Sequence, residues 1–279
     1  MIRPVLQDDA FLDDVARAKE HPDQLHLWWL GQSGFLIQWQ GRHLLLDPYL
    51  SDSLTRKYAG TDKPHVRMTG RLIAPERLGF VDIVTSSHNH TDHLDAGTLL
   101  PLLEANPDLK MIVSRASLQF AADRLGRAPD ELLPIRADGD SIWIEPFTLH
   151  AIPAAHEALE QDDNGDHRFI GLIVQAGPWT IYHSGDCIPH QGLVERLRDW
   201  QIDLALLPIN GRDPARGVPG NFTGEEAAQL GKQLNAGIVI PCHFEMFEFN
   251  TVSPEVFTEP AAQLGQPYKL LRCGERLSM

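Results

Sequence analysis

The spacing of apolar and polar positions predicts a chain of many short strands with helices between them. Amphipathic or capped segments predict helices near 9–20, 95–104, 114–126, 191–199 and 223–234, and a last helix that begins at 253. Apolar β-branched runs and alternating runs predict strands near 25–30, 34–40, 42–47, 81–85, 111–113, 131–135, 141–145, 147–153, 168–176, 179–184, 203–207, 237–242, 268–272 and 275–278. Strands with helices interspersed in both halves suit two packed sheets with helices outside.

Capping residues fix the ends of three of these helices. Thr223 and Glu226 have the spacing of a capping box. Ser114 is expected to cap a helix that ends at Gly126, and Pro254 falls in the first turn of the last helix. These signals set the boundaries of the predicted elements.

A histidine-rich loop follows the strand near 81–85. The run SSHNHTDHLD places His88, His90, Asp92 and His93 within six positions, on a loop where a strand ends. Imidazole and carboxylate groups at this density suit zinc, manganese or iron. A tight loop would let His88 and His90 converge on one ion while Asp92 and His93 turn toward a second. The alternative is a polar surface loop that is rich in histidine by chance.

Three later strands each end in one more metal-ligand type. His156 follows the strand near 147–153, Asp186 follows 179–184 in a Gly-Asp pair, and His243 follows 237–242. This recurrence is what an active site along the edge of a sheet requires.

These motifs, in this order, resemble those of the metallo-β-lactamase superfamily, including an early strand that ends in Asp47. The resemblance implies an α/β (α+β) fold, an αββα sandwich of two packed mixed sheets with helices on the outer faces. We expect 1–279 to form a single domain, with 48–79 as an irregular insert near the active site. Within the superfamily, four stretches are similar to the L-ascorbate 6-phosphate lactonase family: WLGQSGFLI (29–37), LLPINGRD (206–213), GNFTGEEAAQL (220–230) and VIPCHFEMFEFNT (239–251).

The resemblance also implies a role for each motif residue. One ion would be held by His88, His90 and His156; the second by Asp92, His93 and His243; Asp186 would bridge both. Asp92 and Asp186 are therefore the expected catalytic carboxylates, and the nucleophile would be a hydroxide shared by two divalent ions. Because no thiolate is among the ligands, Mn²⁺ and Fe²⁺ suit the site as well as Zn²⁺. Asp47 is expected to orient a ligand rather than to bind a metal itself.

Substrate recognition is less marked in the sequence. Arg212 is a candidate anion contact because its fork binds phosphate or carboxylate bidentately, and Asn210 and His190 are further candidates for substrate binding. The insert 48–79 is rich in basic residues in an otherwise acidic protein, which favours an anionic small-molecule substrate. The alternative for the insert is a solvated loop without a ligand role.

Composition narrows the classes of protein further. The net charge of −14, without a stripe of basic residues, argues against a nucleic-acid partner. Three cysteines without CxxC spacing suggest no disulfide framework, and no apolar run suggests a signal peptide or membrane span. We expect a cytoplasmic enzyme without a membrane partner; whether it forms a homo-oligomer stays open.

Three functions remain. The first is a lactonase-like hydrolase. The second is a phosphodiesterase of the N-acyl phosphatidylethanolamine phospholipase D-like type, which needs a membrane-facing surface that only Met246, Phe247 and Phe249 could supply. The third is a non-catalytic metal-binding or interaction protein with the same fold, which the complete ligand set disfavours.

Overall fold

Two mixed sheets form the centre of the molecule. The computed structural model describes residues 1–279. The thirteen strands are β1 His26–Gly31, β2 Gly34–Trp39, β3 Arg42–Leu46, β4 Ile83–Ser86, β5 Lys110–Ser114, β6 Leu133–Ile135, β7 Ser141–Ile144, β8 Phe147–Pro153, β9 Ile170–Ala176, β10 Trp179–His183, β11 Leu204–Pro208, β12 Ile238–Cys242 and β13 Arg276–Ser278.

The strand order brings several strand ends to one edge. The first sheet has the order β13-β1-β2-β3-β4-β5-β6; it is antiparallel up to β3 and parallel from β3 to β6. The second has the order β12-β11-β10-β9-β8-β7 and is parallel from β10 to β12. Because parallel strands end at the same edge of a sheet, the residues after β10 and β12 lie on one side of the molecule.

The molecule has seven helices, and all but α2, which lies in the insert, belong to the layers outside the sheets. They are α1 Asp9–Ala18, α2 Ser53–Lys57, α3 Ala96–Ala105, α4 Leu118–Leu125, α5 Leu193–Leu197, α6 Gly224–Leu234 and α7 Glu255–Leu264. Apolar residues of α1, α3 and α4 pack on one face of the first sheet, and those of α6 and α7 belong to the cluster that includes the second sheet. The expected αββα arrangement of two mixed sheets is confirmed.

Strand β1 shows how the sequence divides the core. Neighbouring residues of a strand point to opposite faces. Trp29 therefore joins the cluster between the two sheets and stacks on Phe244, with ring centroids 4.7 Å apart. Trp28 joins the cluster beneath the helices, where it meets Phe11 of α1. The paired tryptophans thus serve two separate apolar layers.

The helix caps follow the sequence in two places and differ in one. The capping box of α6 is confirmed, with Thr223 Oγ1 accepting from the Glu226 amide at 3.2 Å. Gly126 ends α4 in the left-handed conformation, as predicted. Ser114 does not cap α4, because a 3-10 turn over Arg115–Ser117 delays the helix until Leu118.

Two other segments differ from the prediction. No strand forms over 268–272; only a single bridge joins Val239 to Tyr268. Pro241 explains this, because it has no N–H to donate the next bond of that ladder. The insert 48–79 is not wholly irregular, since it contains α2 and a 3-10 turn over Pro75–Arg77. No helix of the structure is both long and apolar enough to cross a bilayer.

Candidate metal centre

The seven predicted metal ligands converge at the ends of four strands. The loop after β4 carries four of them, and the segments after β8, β10 and β12 carry one each. Their ligand atoms form two groups in which all atoms lie within 4.8 Å of one another: His88, His90, His156 and Asp186, and Asp92, His93, Asp186 and His243. Both groups share Asp186, which is the arrangement that two neighbouring ions need.

Distances within the cluster place the Asp186 carboxylate at its centre. Its Oδ1 lies 3.2 Å from His93 Nε2, and its Oδ2 lies 3.4 Å from His156 Nε2 and 3.5 Å from His243 Nε2. The second carboxylate, Asp92, lies 3.5 Å from His243 Nε2. One buried carboxylate, Asp186, and one partly buried carboxylate, Asp92, thus face a set of imidazole nitrogens.

Several buried polar atoms of this cluster have no hydrogen-bond partner in the protein. The clearest case is Nε2 of His88; Nε2 of His93 and Oδ1 of Asp186 lie 3.2 Å apart but are not aligned for a hydrogen bond with each other. A buried polar atom without a partner costs about 1–3 kcal/mol, so such atoms are rare in native proteins. Imidazole nitrogens and carboxylate oxygens are the atoms that divalent metals bind. The donor set therefore fits metal ions.

Two hydrogen bonds beside the cluster leave the Nε2 atoms of His156 and His93 free for a metal. His156 Nδ1 lies 2.8 Å from the carbonyl oxygen of Gly220 and donates to it, so Nε2 keeps its lone pair. His93 Nδ1 lies 2.7 Å from Asp47 Oδ2, which fixes the same tautomer when the imidazole is neutral. Burial raises the pKa of Asp47, but its contacts with His93 outweigh burial and hold that pKa below its usual value.

The carboxylates and imidazoles also shift one another's pKa values. Burial lowers the pKa of His93, but the charges of Asp186 and Asp92 outweigh it and raise that pKa well above its usual value. The same balance raises the pKa of His243 to about 9. In His88, burial and its histidine neighbours lower the pKa. A metal ion that bound His93 or His243 would therefore compete with a proton for the same nitrogen.

The backbone is strained where it presents these groups. His243, Asp47 and Gln32 all have positive φ angles, of 62°, 38° and 50°. Gly185, which precedes Asp186, has φ +59°, and a Cβ there would lie 2.7 Å from the carbonyl oxygen of Ile170. Only glycine fits this position, which explains the Gly-Asp pair. Strain of this kind gathers at functional sites.

A cavity of about 340 Å³ opens beside the cluster. Part of the insert contributes to its wall through Leu54, Lys57, Tyr58 and His65. The side chains that surround it are Gln32, Leu54, Lys57, Tyr58, His65, Asn89, His90, Thr91, Asp92, Phe120, Arg124, His156, Asp186, Val218, Pro219, Asn221, His243, Phe247, Phe249 and Asn250. Asp92 and Asp186 are its only carboxylates.

Gln32 is a site residue that the sequence motifs did not single out. Its Nε2 lies 2.8 Å from Asp92 Oδ2 and 3.0 Å from His243 Nε2. The only sequence signal for Gln32 is its place in the stretch 29–37, which resembles the lactonase family as a whole. Phe120 and Arg124 of α4 also line the cavity, although the sequence pattern in this segment indicated only a helix.

The three candidate substrate residues do not line this cavity. Arg212 Nη1 and Nη2 donate hydrogen bonds to the two carboxylate oxygens of Glu226, at 2.8 and 2.5 Å. Its guanidinium therefore already binds an anionic group. His190 faces a separate, smaller pocket formed mainly by α5 and α6. Asn210 is buried behind the wall, where its amide contacts Asn221 and Asn250, which do line the cavity. Arg212 instead lines a neighbouring pocket together with His156 and Glu157, so a substrate contact for Arg212, Asn210 or His190 stays a prediction.

The amide contacts of Asn210 have a fixed direction. Arg216, which can only donate, lies 3.3 Å from Asn250 Oδ1. Asn210 Nδ2 donates to the same oxygen at 3.0 Å, and Asn221 Nδ2 donates to Asn210 Oδ1 at 3.0 Å. This leaves Asn221 Oδ1 as a buried acceptor without a partner.

Comparison with known proteins shows a consistent set of relatives. A model described as a beta-lactamase superfamily domain matches residues 42–244. The chain is 23% identical to the probable L-ascorbate-6-phosphate lactonase UlaG of Escherichia coli O127:H6, over 87% of this chain and 76% of that protein.

Solved structures with the same fold include an isothiocyanate hydrolase from Delia radicum gut bacteria, with a TM-score of 0.70 at 20% identity over 90% of this chain and 98% of that one. Igni18, a metallo hydrolase from Ignicoccus hospitalis, has a TM-score of 0.65 at 20% identity, over 92% of this chain and 98% of that one.

Proposed function

The chain belongs to the β-lactamase superfamily, and we propose that it is a binuclear metal-dependent hydrolase of a small anionic substrate, of the lactonase type. The observation that carries the proposal is the convergence of seven ligands into two groups that share Asp186. Four ligands complete one tetrahedral zinc site, so seven exceed what one such ion can use.

Each group would hold one ion. His88, His90 and His156 would bind the first ion, and Asp186 would serve both. Asp92, His93 and His243 would bind the second. When bound, the ions would make water a nucleophile at neutral pH and polarise the scissile carbonyl or phosphoryl group; manganese, zinc and iron all suit these ligands.

Neighbouring residues would hold the ligand side chains in a fixed orientation. Gln32 donates to Asp92 at 2.8 Å and so restrains that carboxylate against the His243 ring. Asp47 restrains His93, and Gly220 restrains His156. These contacts direct each ligand atom toward the cluster before substrate binds.

The cavity wall supports an anionic substrate. Two cationic side chains, Lys57 and Arg124, line it, whereas its only carboxylates are assigned to metal. A wall of this charge attracts a phosphate or carboxylate group. The curated relative described as a probable L-ascorbate-6-phosphate lactonase supports a cyclic ester as the reacting group.

The membrane phosphodiesterase has less support. Met246 and Phe247 are each only 2% exposed and pack against Tyr49 and Leu54, so they present no apolar surface to a bilayer. Phe249 lines the cavity. Phe247 also lines the cavity, so both phenylalanines form part of its wall.

An activity panel tests the proposal. Protein loaded with zinc, manganese or iron is assayed on phosphorylated and neutral sugar lactones and on phosphodiesters. We expect lactone hydrolysis that Asp186→Asn abolishes. Asp162→Asn is the matched control, because Asp162 lies in a surface turn where it accepts backbone bonds. Hydrolysis of phosphodiesters alone would support the phosphodiesterase function instead of the lactonase function. Full activity in Asp186→Asn would refute the metal site.

A further inference from the structure

Arg124 of α4 is a cation on the cavity wall without an acidic partner. Its Nη1 donates to the carbonyl oxygens of Asn89 and Leu94, each at 3.0 Å, and no carboxylate oxygen lies within 4.0 Å. Its Nε and Nη2 make no hydrogen bond within the protein. Arg212 differs, because its guanidinium faces the Glu226 carboxylate. Arg124 therefore keeps two donors for another group.

Phe120 holds this guanidinium in place. It lies one turn earlier on α4, and its ring centroid is 4.3 Å from Arg124 Cζ. The phenyl ring is 41% exposed although it is large and apolar, and it lines the same cavity. The ring fixes one face of the guanidinium and the two carbonyl oxygens fix one nitrogen. The remaining edge is thus preorganised.

We propose that Arg124, held by Phe120, is the residue that binds the anionic group of the substrate, a phosphate or carboxylate remote from the scissile bond. A planar guanidinium binds such groups through two parallel N–H donors, and Nε with Nη2 offers that pair. The inference rests on the proposed function, because it assigns a specificity residue to the same cavity. It also moves the anion contact from Arg212 to Arg124.

Binding of probes that carry two acidic groups tests the role of Arg124 without any turnover. Zinc-loaded protein is titrated calorimetrically with phosphonocarboxylates that have one to five methylenes between the two acids, and with monocarboxylates of equal length. The carboxylate can bind at the metal centre in both series. We expect one spacer length at which the phosphonate improves affinity at least tenfold, which would also report the distance from the metals to Arg124.

Variants assign that gain to one side chain. Arg124→Gln should remove the gain, and Phe120→Leu should reduce it roughly two- to fivefold, because only the supporting ring is lost. Arg127→Gln is the matched control, since Arg127 pairs with Glu131 on the surface. Arg124→Lys should restore part of the gain.

The monocarboxylate series separates anion binding from a structural role. Arg124 also holds the loop of the metal ligands, so a collapsed loop would weaken monocarboxylates and lower the zinc content together. The inference is overturned if no spacer length gives a gain, or if the gain survives Arg124→Gln. A protein that binds phosphonates through Arg124 but hydrolyses nothing would refute the proposed function and leave this inference standing.

Discussion

Replacing Asp47 by asparagine should weaken the metal centre through the tautomer of His93. Asp47 is fully buried and accepts hydrogen bonds from Thr85 Oγ1 at 2.9 Å, the Ser87 amide at 3.0 Å, Ser87 Oγ and His93 Nδ1 at 2.7 Å. Asparagine has the same shape but only one acceptor oxygen. If that oxygen keeps Thr85 and the Ser87 amide, an NH₂ group faces His93 Nδ1.

The consequence for metal binding follows from the imidazole. Facing a donor, the neutral His93 ring would carry its proton on Nε2, and that nitrogen could no longer bind a metal. A hydrogen bond to a charged group contributes about 1.5–3 kcal/mol, which corresponds to roughly 10–150-fold in an equilibrium constant. Loss of such an outer contact typically costs about 10–100-fold in metal affinity. We therefore expect the second ion to bind at least tenfold more weakly in Asp47→Asn.

Competition with a chelator of known zinc affinity measures this effect. Thr85→Val is the matched control, because it removes a hydrogen bond to the other oxygen of the same carboxylate. It should lower the free energy of unfolding by about 1–2 kcal/mol and leave zinc affinity within twofold of the wild type. The reasoning is refuted if Asp47→Asn binds zinc as tightly as the wild type, or if both variants lose affinity equally.

Three further predictions follow from single contacts. Arg212→Gln should lower the unfolding temperature, because it breaks the Glu226 pair, while KM for charged and neutral lactones shifts equally; a loss confined to charged lactones would return Arg212 to the substrate site. All three cysteines are buried, and burial raises the pKa of Cys187 and Cys273 to about 12, so a thiol reagent at pH 8 should label none in the native protein and three after denaturation; rapid native labelling would contradict this. Burial lowers the pKa of His43, so the unfolded chain takes up a proton near pH 6.5 before the folded one does, and stability should fall as pH drops below that value. His43→Gln should make this slope shallower, and an unchanged slope would show that His43 does not contribute to it.

The strands and the ligand clusters were predictable because their signals are local. A β-branched run that ends in a histidine or in Gly-Asp indicates both the strand and the ligand-type residue that follows it. Asp186 and His243 are examples. The missing strand over 268–272 was not predictable in the same way. Its failure depends on Pro241, which lies in a different segment and lacks the one N–H that the ladder needs.

The substrate residues were harder to predict because charge alone does not reveal a partner. Arg212 and Arg124 look alike in sequence, yet Glu226 binds the guanidinium of the first and no carboxylate oxygen lies within 4.0 Å of the second. The sequence spacing indicated Glu226 only as part of a capping box, although the same carboxylate also binds Arg212. Which arginine remains free depends on tertiary contacts that periodicity does not encode.

The metal content of the purified protein tests the central claim most directly. Protein loaded with zinc or manganese and freed of excess ion is measured by elemental analysis, beside Asp186→Asn. The two ligand groups predict two ions per chain in the wild type and a loss of at least one in the variant, because both groups share that carboxylate. A wild-type value of one ion or fewer, with all seven ligands intact and metal in excess during loading, would contradict the binuclear centre.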